Sequence, residues 1–278
     1  YQEIIINNIK LKGMSSMKKA LNPRIIVSLT SYGDRLNTLS ICLKSLLNQT
    51  KKADKILVYL TDDIKESHLP SSLLELRDRG IEYRFVPLDL KPHKKYYYAM
   101  QEFPDDIIVT VDDDVIYYKE MLSELYKTYL KFPKCIVTGR AHEITFNDDG
   151  SIKAYDDWNW CSQKYEQPSM KLLATEAGSV LYPPHLLDEK LLFNLDYIKH
   201  YITVDDLWLK LVEVLSNVPT VVCSLKIEKM REGIPDTQAQ GLFNKNVGKN
   251  ENDLYLKDLD KEFSLVSKIL AYENGKGK

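Results

Sequence analysis

Four apolar runs, each followed by a helical or acidic segment, constrain this 278-residue chain more than any other feature. Arg24-Ile25-Ile26-Val27-Ser28-Leu29 reads as a strand, and Leu36, Leu39, Leu43 and Leu46 then recur at helical spacing. A second strand from Lys55 to Leu60 ends in Asp62 and Asp63, and Pro70 to Arg79 is a short helix stopped by Gly80. Ile81 to Val86 is a third strand, Pro92 opens a helix reaching about Phe103, and the β-branched run Ile107 to Val111 is a fourth strand. This β-α-β-α-β-α-β alternation predicts an α/β fold with a mostly parallel sheet and helices on both faces. Ligands then gather beyond the carboxyl ends of the strands.

The fourth run ends in Asp112-Asp113-Asp114. Carboxylates packed this closely repel one another unless a cation is shared. Residues alternate faces along an extended chain, so Asp112 and Asp114 are expected to point together, offering two carboxylates to one hard ion, with Asp113 pointing elsewhere. An acidic turn with solvated side chains is the competing reading.

Farther on, Met121, Leu125 and Tyr129 suggest a helix and Cys135 to Thr138 a strand. The stretch Ala141 to Tyr182 is irregular and rich in aromatic and polar residues, Trp158, Trp160 and Tyr165 among them; Trp158 and Trp160, within Asp156-Asp157-Trp158-Asn159-Trp160, suit stacking on a sugar face, with core tryptophans the alternative. A helix follows Asp205, with Trp208, Leu211 and Leu215 on one face, and Thr220 to Ser224 reads as a last strand. After Pro235 the chain turns polar, and Tyr255, Leu259, Phe263, Val266 and Leu270 then form the stripe of an amphipathic helix. It is expected to pack on its own sheet or on another protomer.

The net charge of −2 gives no field to draw in a polyanion, so a nucleic-acid partner is not expected. The four cysteines are scattered, without zinc or dithiol spacing, and are read as reduced. No run reaches transmembrane length and no secretory signal is read near the start, so a cytoplasmic location is expected. Tyr1 is not an initiator, which suits one module of a larger polypeptide or appended leading residues.

The order of motifs resembles that of GT-A glycosyltransferases, particularly bacterial members of glycosyltransferase family 2. Four pieces carry the resemblance: Val27 to Tyr32 with Leu43 to Gln49, the strand end at Asp62, the triple Asp, and Thr203-Val204-Asp205-Asp206-Leu207-Trp208. The implied fold is a Rossmann-like GT-A domain over residues 1–225, with 1–20 a linker or appended residues. Residues 226–278 are then a C-terminal helical extension for acceptor binding or oligomerisation.

The resemblance implies an inverting transfer from a UDP-sugar to a glycan or glycoprotein acceptor, in bacterial surface polysaccharide or glycoprotein biosynthesis. Thr30, Tyr32, Arg35 and Asp62 would hold the nucleoside, although a surface ion pair is the plain alternative for Arg35 and Asp62. Lys94 and Lys95, in the first turn of a helix, would meet donor phosphate, or else be solvated. Asp112 would contact ribose or metal, Asp113 belongs with the donor-binding residues, and Asp114 would hold Mn2+ or Mg2+ at the diphosphate. Many relatives supply a later histidine ligand; here water, Asn244 or no protein group takes that place.

Gly178, in Glu176-Ala177-Gly178-Ser179, would let the backbone approach the donor sugar, or mark a plain turn. Asp206 is assigned as general base and Asp205 as helix cap and acceptor contact, with the reverse assignment open. Gly139-Arg140-Ala141-His142-Glu143 receives no role. Peripheral membrane association and a homo-oligomer through the C-terminal helix are compatible with this reading. Its rivals are a non-catalytic nucleotide-sugar or carbohydrate binding subunit and a sugar nucleotidyltransferase, the latter disfavoured because Ser28 to Asp34 holds only one glycine.

Overall fold

A computed structural model describes residues 23–162, 167–235, 237 and 251–275. The expectations placed on residues 1–20, Tyr165 and Asn244 fall outside these. The strands β1 (Ile25–Thr30), β2 (Lys55–Thr61), β3 (Ile81–Val86) and β4 (Ile107–Thr110) form one half of a seven-stranded sheet. β1 pairs in parallel with both β2 and β4, and β2 with β3. β1 and β4 are buried along nearly their whole length, as parallel strands covered on both faces must be.

The period of two divides β1 between two cores. Ile25, Val27 and Leu29 join the cluster under the Leu39–Leu47 and Met121–Lys131 helices, whereas Ile26 packs with Ala99 and Phe103 on the other face. Ser28, on that second face, donates a hydrogen bond of 2.5 Å to the carbonyl of Lys95, fixing the first turn of the Lys94–Glu102 helix against the sheet.

β5 (Val115–Ile116), β6 (Ile136–Thr138), β7 (Ala141–Glu143), β8 (Leu172–Ala174), β9 (Val180–Tyr182), β10 (Thr220–Val222) and β11 (Glu232–Gly233) complete the strands. The sheet order is β10-β6-β9-β4-β1-β2-β3, with β9 antiparallel to its neighbours β4 and β6. Two small antiparallel ribbons, β11 with β5 and β7 with β8, stand beside it. The order reverses between β1 and β4, so the loops after both strands open onto one crevice.

The C-terminal segment differs from expectation. It forms two helices, Glu251–Phe263 and Leu265–Gly275, broken at Ser264, whose φ is +57°. The break rotates the buried set to Leu256, Leu259, Leu265 and Ile269, which join the core around Trp208 on the Asp205–Leu215 helix. Trp208 is fully buried and stacks with Tyr197 and Tyr201, each at 5.6 Å between ring centroids. Burial of an aromatic side chain of this size contributes about 2–3 kcal/mol and anchors the helix one turn from its two leading acids. All four cysteines are free thiols. Among the described residues, no helix is long and apolar enough to cross a membrane.

Candidate active site

The crevice is a cavity of about 870 Å³ built from the ends of β1, β2 and β4, the Lys94–Glu102 helix, the β7/β8 ribbon and the start of the Asp205–Leu215 helix. That volume is of the order needed for a nucleotide-sized ligand.

β4 stops at Thr110, so Asp112 to Asp114 lie in the turn beyond it and strand alternation does not set their directions. This corrects the expected two-against-one arrangement. Asp113 accepts hydrogen bonds from the Ser31 hydroxyl at 2.6 Å and from Arg35, which also pairs with Asp114 at 3.1 Å. Asp112 instead accepts from the Lys95 ammonium at 2.9 Å, and its backbone N–H donates to the Tyr117 hydroxyl. Burial pushes the Asp113 carboxyl up in pKa, while Arg35 and Ser31 pull it down. Asp114 is raised by burial and then by Asp112, with Arg35 opposing.

Lys95 is the hub of the cavity. Its buried ammonium pairs with Asp112, with Glu176, and with Asp205 at 3.2 Å. Burial opposes its charge, but Asp112, Asp205 and Asp206 outweigh that and hold its pKa above the usual lysine value. Lys94 pairs with Asp89 at 2.6 Å. Both lysines line the cavity, yet in this structure their ammonium groups are committed to carboxylates rather than left for a phosphate. Carboxylates also relieve the unfavourable placing of cations at a helix N-terminus.

The Asp205–Leu215 helix begins after Val204, and neither acid caps it with a side-chain hydrogen bond, which corrects the expected cap at Asp205. Oxygens of Glu176, Asp205 and Asp206 all lie within 4.8 Å of one another. Asp205 and Glu176 share Lys95. Asp206 has no ion-pair partner among the described residues, and burial, then Asp205, push its pKa well above the carboxylate range, with Lys95 and Arg140 opposing.

The remaining expected residues divide. Thr30, Tyr32 and Arg35 line the cavity, and Thr30 donates to the Tyr59 carbonyl at 2.8 Å. Asp62 is exposed and lies outside the lining, where Asp63 is found instead. Gly178 is also outside it: a Cβ there would lie 2.2 Å from the Arg140 Cβ and 2.6 Å from the Arg140 backbone nitrogen, so the missing side chain makes room for Arg140. Trp158 is buried core and Trp160 packs behind His142; neither lines the cavity, whereas Tyr155 and His142 do. Glu176, Arg140 and His142 were given no chemical role by the sequence, because only the fold around the β7/β8 ribbon brings them into the cavity that Asp206 lines.

The acids suit a divalent ion in two places. Asp112 and Asp114 are hard oxygen donors, and Asp112 is close enough to add to the rise that burial gives the Asp114 pKa, with Arg35 and Lys95 beside them. The Glu176, Asp205 and Asp206 oxygens also converge, but the Lys95 ammonium already lies among them.

The family model for glycosyl transferase family 2 matches residues 27–179, more than half of the chain. This chain belongs to that family. The family 2 match takes in the triple Asp and Glu176 and stops short of Asp205 and Asp206. Among solved structures, S. aureus TarS 1–349 in complex with UDP is similar at a TM-score of 0.47 and 13% identity, over 73% of this chain and 58% of that one. The same TarS fragment in complex with UDP-GlcNAc aligns at a TM-score of 0.36 and 13% identity, over 52% of this chain and 39% of that one. The family 2 chain thus aligns with less than two thirds of those chains. No curated protein matches it by sequence.

Proposed function

We propose that this glycosyltransferase inverts the anomeric carbon as it moves a sugar from a UDP-sugar to a glycan or glycoprotein acceptor, in the building of a bacterial surface polysaccharide or glycoprotein. The observation that carries the reading is the separation of two acidic groups across Lys95. The β4 turn and the loops after β1 and β2 line one part of the cavity, and Lys95 joins Asp112 of that turn to Asp205, the neighbour of Asp206 on the helix that follows.

Asp206 has the properties of a general base. Its raised pKa makes it a stronger proton acceptor than an ordinary aspartate, and it opens to the cavity. It takes the proton of an acceptor hydroxyl as that oxygen attacks the anomeric carbon, and the nucleoside diphosphate leaves from the opposite side. Asp205, paired with Lys95, lies beside it and adds to the rise in the Asp206 pKa. Asp112 and Asp114 would hold Mn2+ or Mg2+, whose charge offsets that gathering on the leaving diphosphate. Tyr32, Thr30 and Asp63 line the cavity and would meet the nucleoside. Asn252 brings the C-terminal extension into the cavity wall, which favours acceptor binding as the role of that extension.

Asp206→Asn tests the reading. Transfer is expected to fall by about 10³-fold with UDP affinity unchanged. Loss of UDP binding in step with transfer would move Asp206 to the donor side, and retained transfer would remove it as the base.

A further inference from the structure

The wall around Asp206 includes His142, on β7, which is 2% exposed and lines the cavity. Its Nδ1 accepts a hydrogen bond of 3.0 Å from the backbone N–H of Cys161, a residue held at a φ of +49°. A neutral imidazole carries one proton, so this bond assigns it to Nε2. The ring is fixed on two sides, by Trp160 at 4.7 Å between centroids and by Tyr155 edge-on at 6.0 Å. Burial, then Arg140, lower its pKa to about 3, so the ring is neutral at physiological pH. Among the described residues Nε2 has no hydrogen-bond partner.

Two neighbours tie His142 to the part of the cavity that holds Asp206. Arg140 stands two residues earlier, lines the same cavity, and is close enough to Asp206 to lower its pKa. Tyr155, in ring contact with His142, has its phenol raised by burial and then by Asp206.

We propose that His142 is a specificity-determining residue: its Nε2–H donates a hydrogen bond to an acceptor hydroxyl adjacent to the one facing Asp206, which selects a vicinal diol such as a sugar or polyol unit. The proposal rests on Asp206 as the base. A locked, neutral donor does not compete with Asp206 for the proton, and it offers the hydroxyl oxygen a partner with no charge to desolvate. An acceptor with a lone hydroxyl leaves that donor unsatisfied in a water-excluded wall, which is how a polar site rejects an analogue.

The test uses protein with ¹⁵N-labelled histidine, saturated with UDP and Mg2+, titrated with glycerol and separately with 1-propanol. The signal missing from His142→Asn is expected to be a neutral Nε2–H tautomer that shifts with glycerol and not with 1-propanol. The glycerol dissociation constant, followed at the backbone N–H of Arg140, is expected to rise about tenfold in His142→Asn, which keeps an acceptor for the Cys161 N–H. His142→Gln, with an amide N–H near the Nε2 position, is expected to restore it. An equal response to both alcohols, a shift produced by UDP alone, or an unchanged constant in His142→Asn would each overturn the proposal. Failure of the underlying reading is separate: Asp206→Asn that still transfers sugar removes the base, whatever His142 does with glycerol.

Discussion

The two acidic groups of the cavity use the same residue type and are compensated differently. At the β4 turn, Asp113 and Asp114 share Arg35, and Asp112 has Lys95. Across the cavity, Asp205 and Glu176 draw on that same Lys95, and Asp206 is left without an ion pair among the described residues. Burial and then Asp205 raise the Asp206 pKa against Lys95 and Arg140, whereas at the β4 turn Arg35 lies in direct contact with Asp113 and Asp114 to oppose the rise that burial causes. On the proposed reading, the first group holds a charged ligand and the second moves a proton within one crevice.

Removing the shared cation is expected to have the largest effect on stability. Lys95→Met leaves Glu176 and Asp205 buried and unpaired, and a loss of about 3–5 kcal/mol is expected, seen as a fall in Tm of roughly 10 °C. An unchanged Tm would mean that the acids protonate at little cost and that the division between the groups is shallow. Gly178→Ala strikes only the base side, because its Cβ collides with Arg140; about 1–3 kcal/mol of stability should be lost, with UDP affinity little changed.

Asp114→Asn strikes only the donor side. The gain in UDP affinity on adding Mn2+ is expected to shrink about tenfold by calorimetry, while chelator should lower wild-type affinity to the level of the variant. A full Mn2+ effect in Asp114→Asn would place the ion elsewhere, with the Glu176, Asp205 and Asp206 oxygens the next candidates.

The smallest effect is on the pH dependence of stability. The folded pKa of Asp206 lies above its unfolded value, so the folded protein binds an extra proton between the two and loses stability as pH rises through that window. Asp206→Asn should abolish this part of the decline, and the two proteins should converge below about pH 4, where both folded and unfolded aspartates are protonated. Parallel stability curves at all pH values would contradict the raised pKa.

The half of the sheet from β1 to β4 was legible because β-branched runs and helical stripes alternate without interruption from Ile25 to Thr110. The insertion of β9 antiparallel between β4 and β6 was not, since strands of three residues carry too little periodicity. Nor was the break at Ser264, where a left-handed residue other than glycine leaves no mark in the sequence. In the site, clustering made the acids of the β4 turn and of the Asp205–Leu215 helix visible. Their directions were not, because Arg35, Lys95 and Ser31 come from distant segments and those partners set each rotamer. Gly178 was legible as a position that tolerates no side chain, but the group it accommodates is Arg140.

The most direct measurement is a carbon NMR titration of the aspartate carboxyl groups, with Asp206 assigned by its absence in Asp206→Asn. Asp206 is expected to remain protonated at a pH where exposed aspartates are fully ionised, and to lose that proton at a lower pH when Glu176→Gln removes a neighbouring carboxylate. Titration of Asp206 together with the exposed aspartates, indifferent to Glu176, would contradict the division of the cavity into a donor side and a base side.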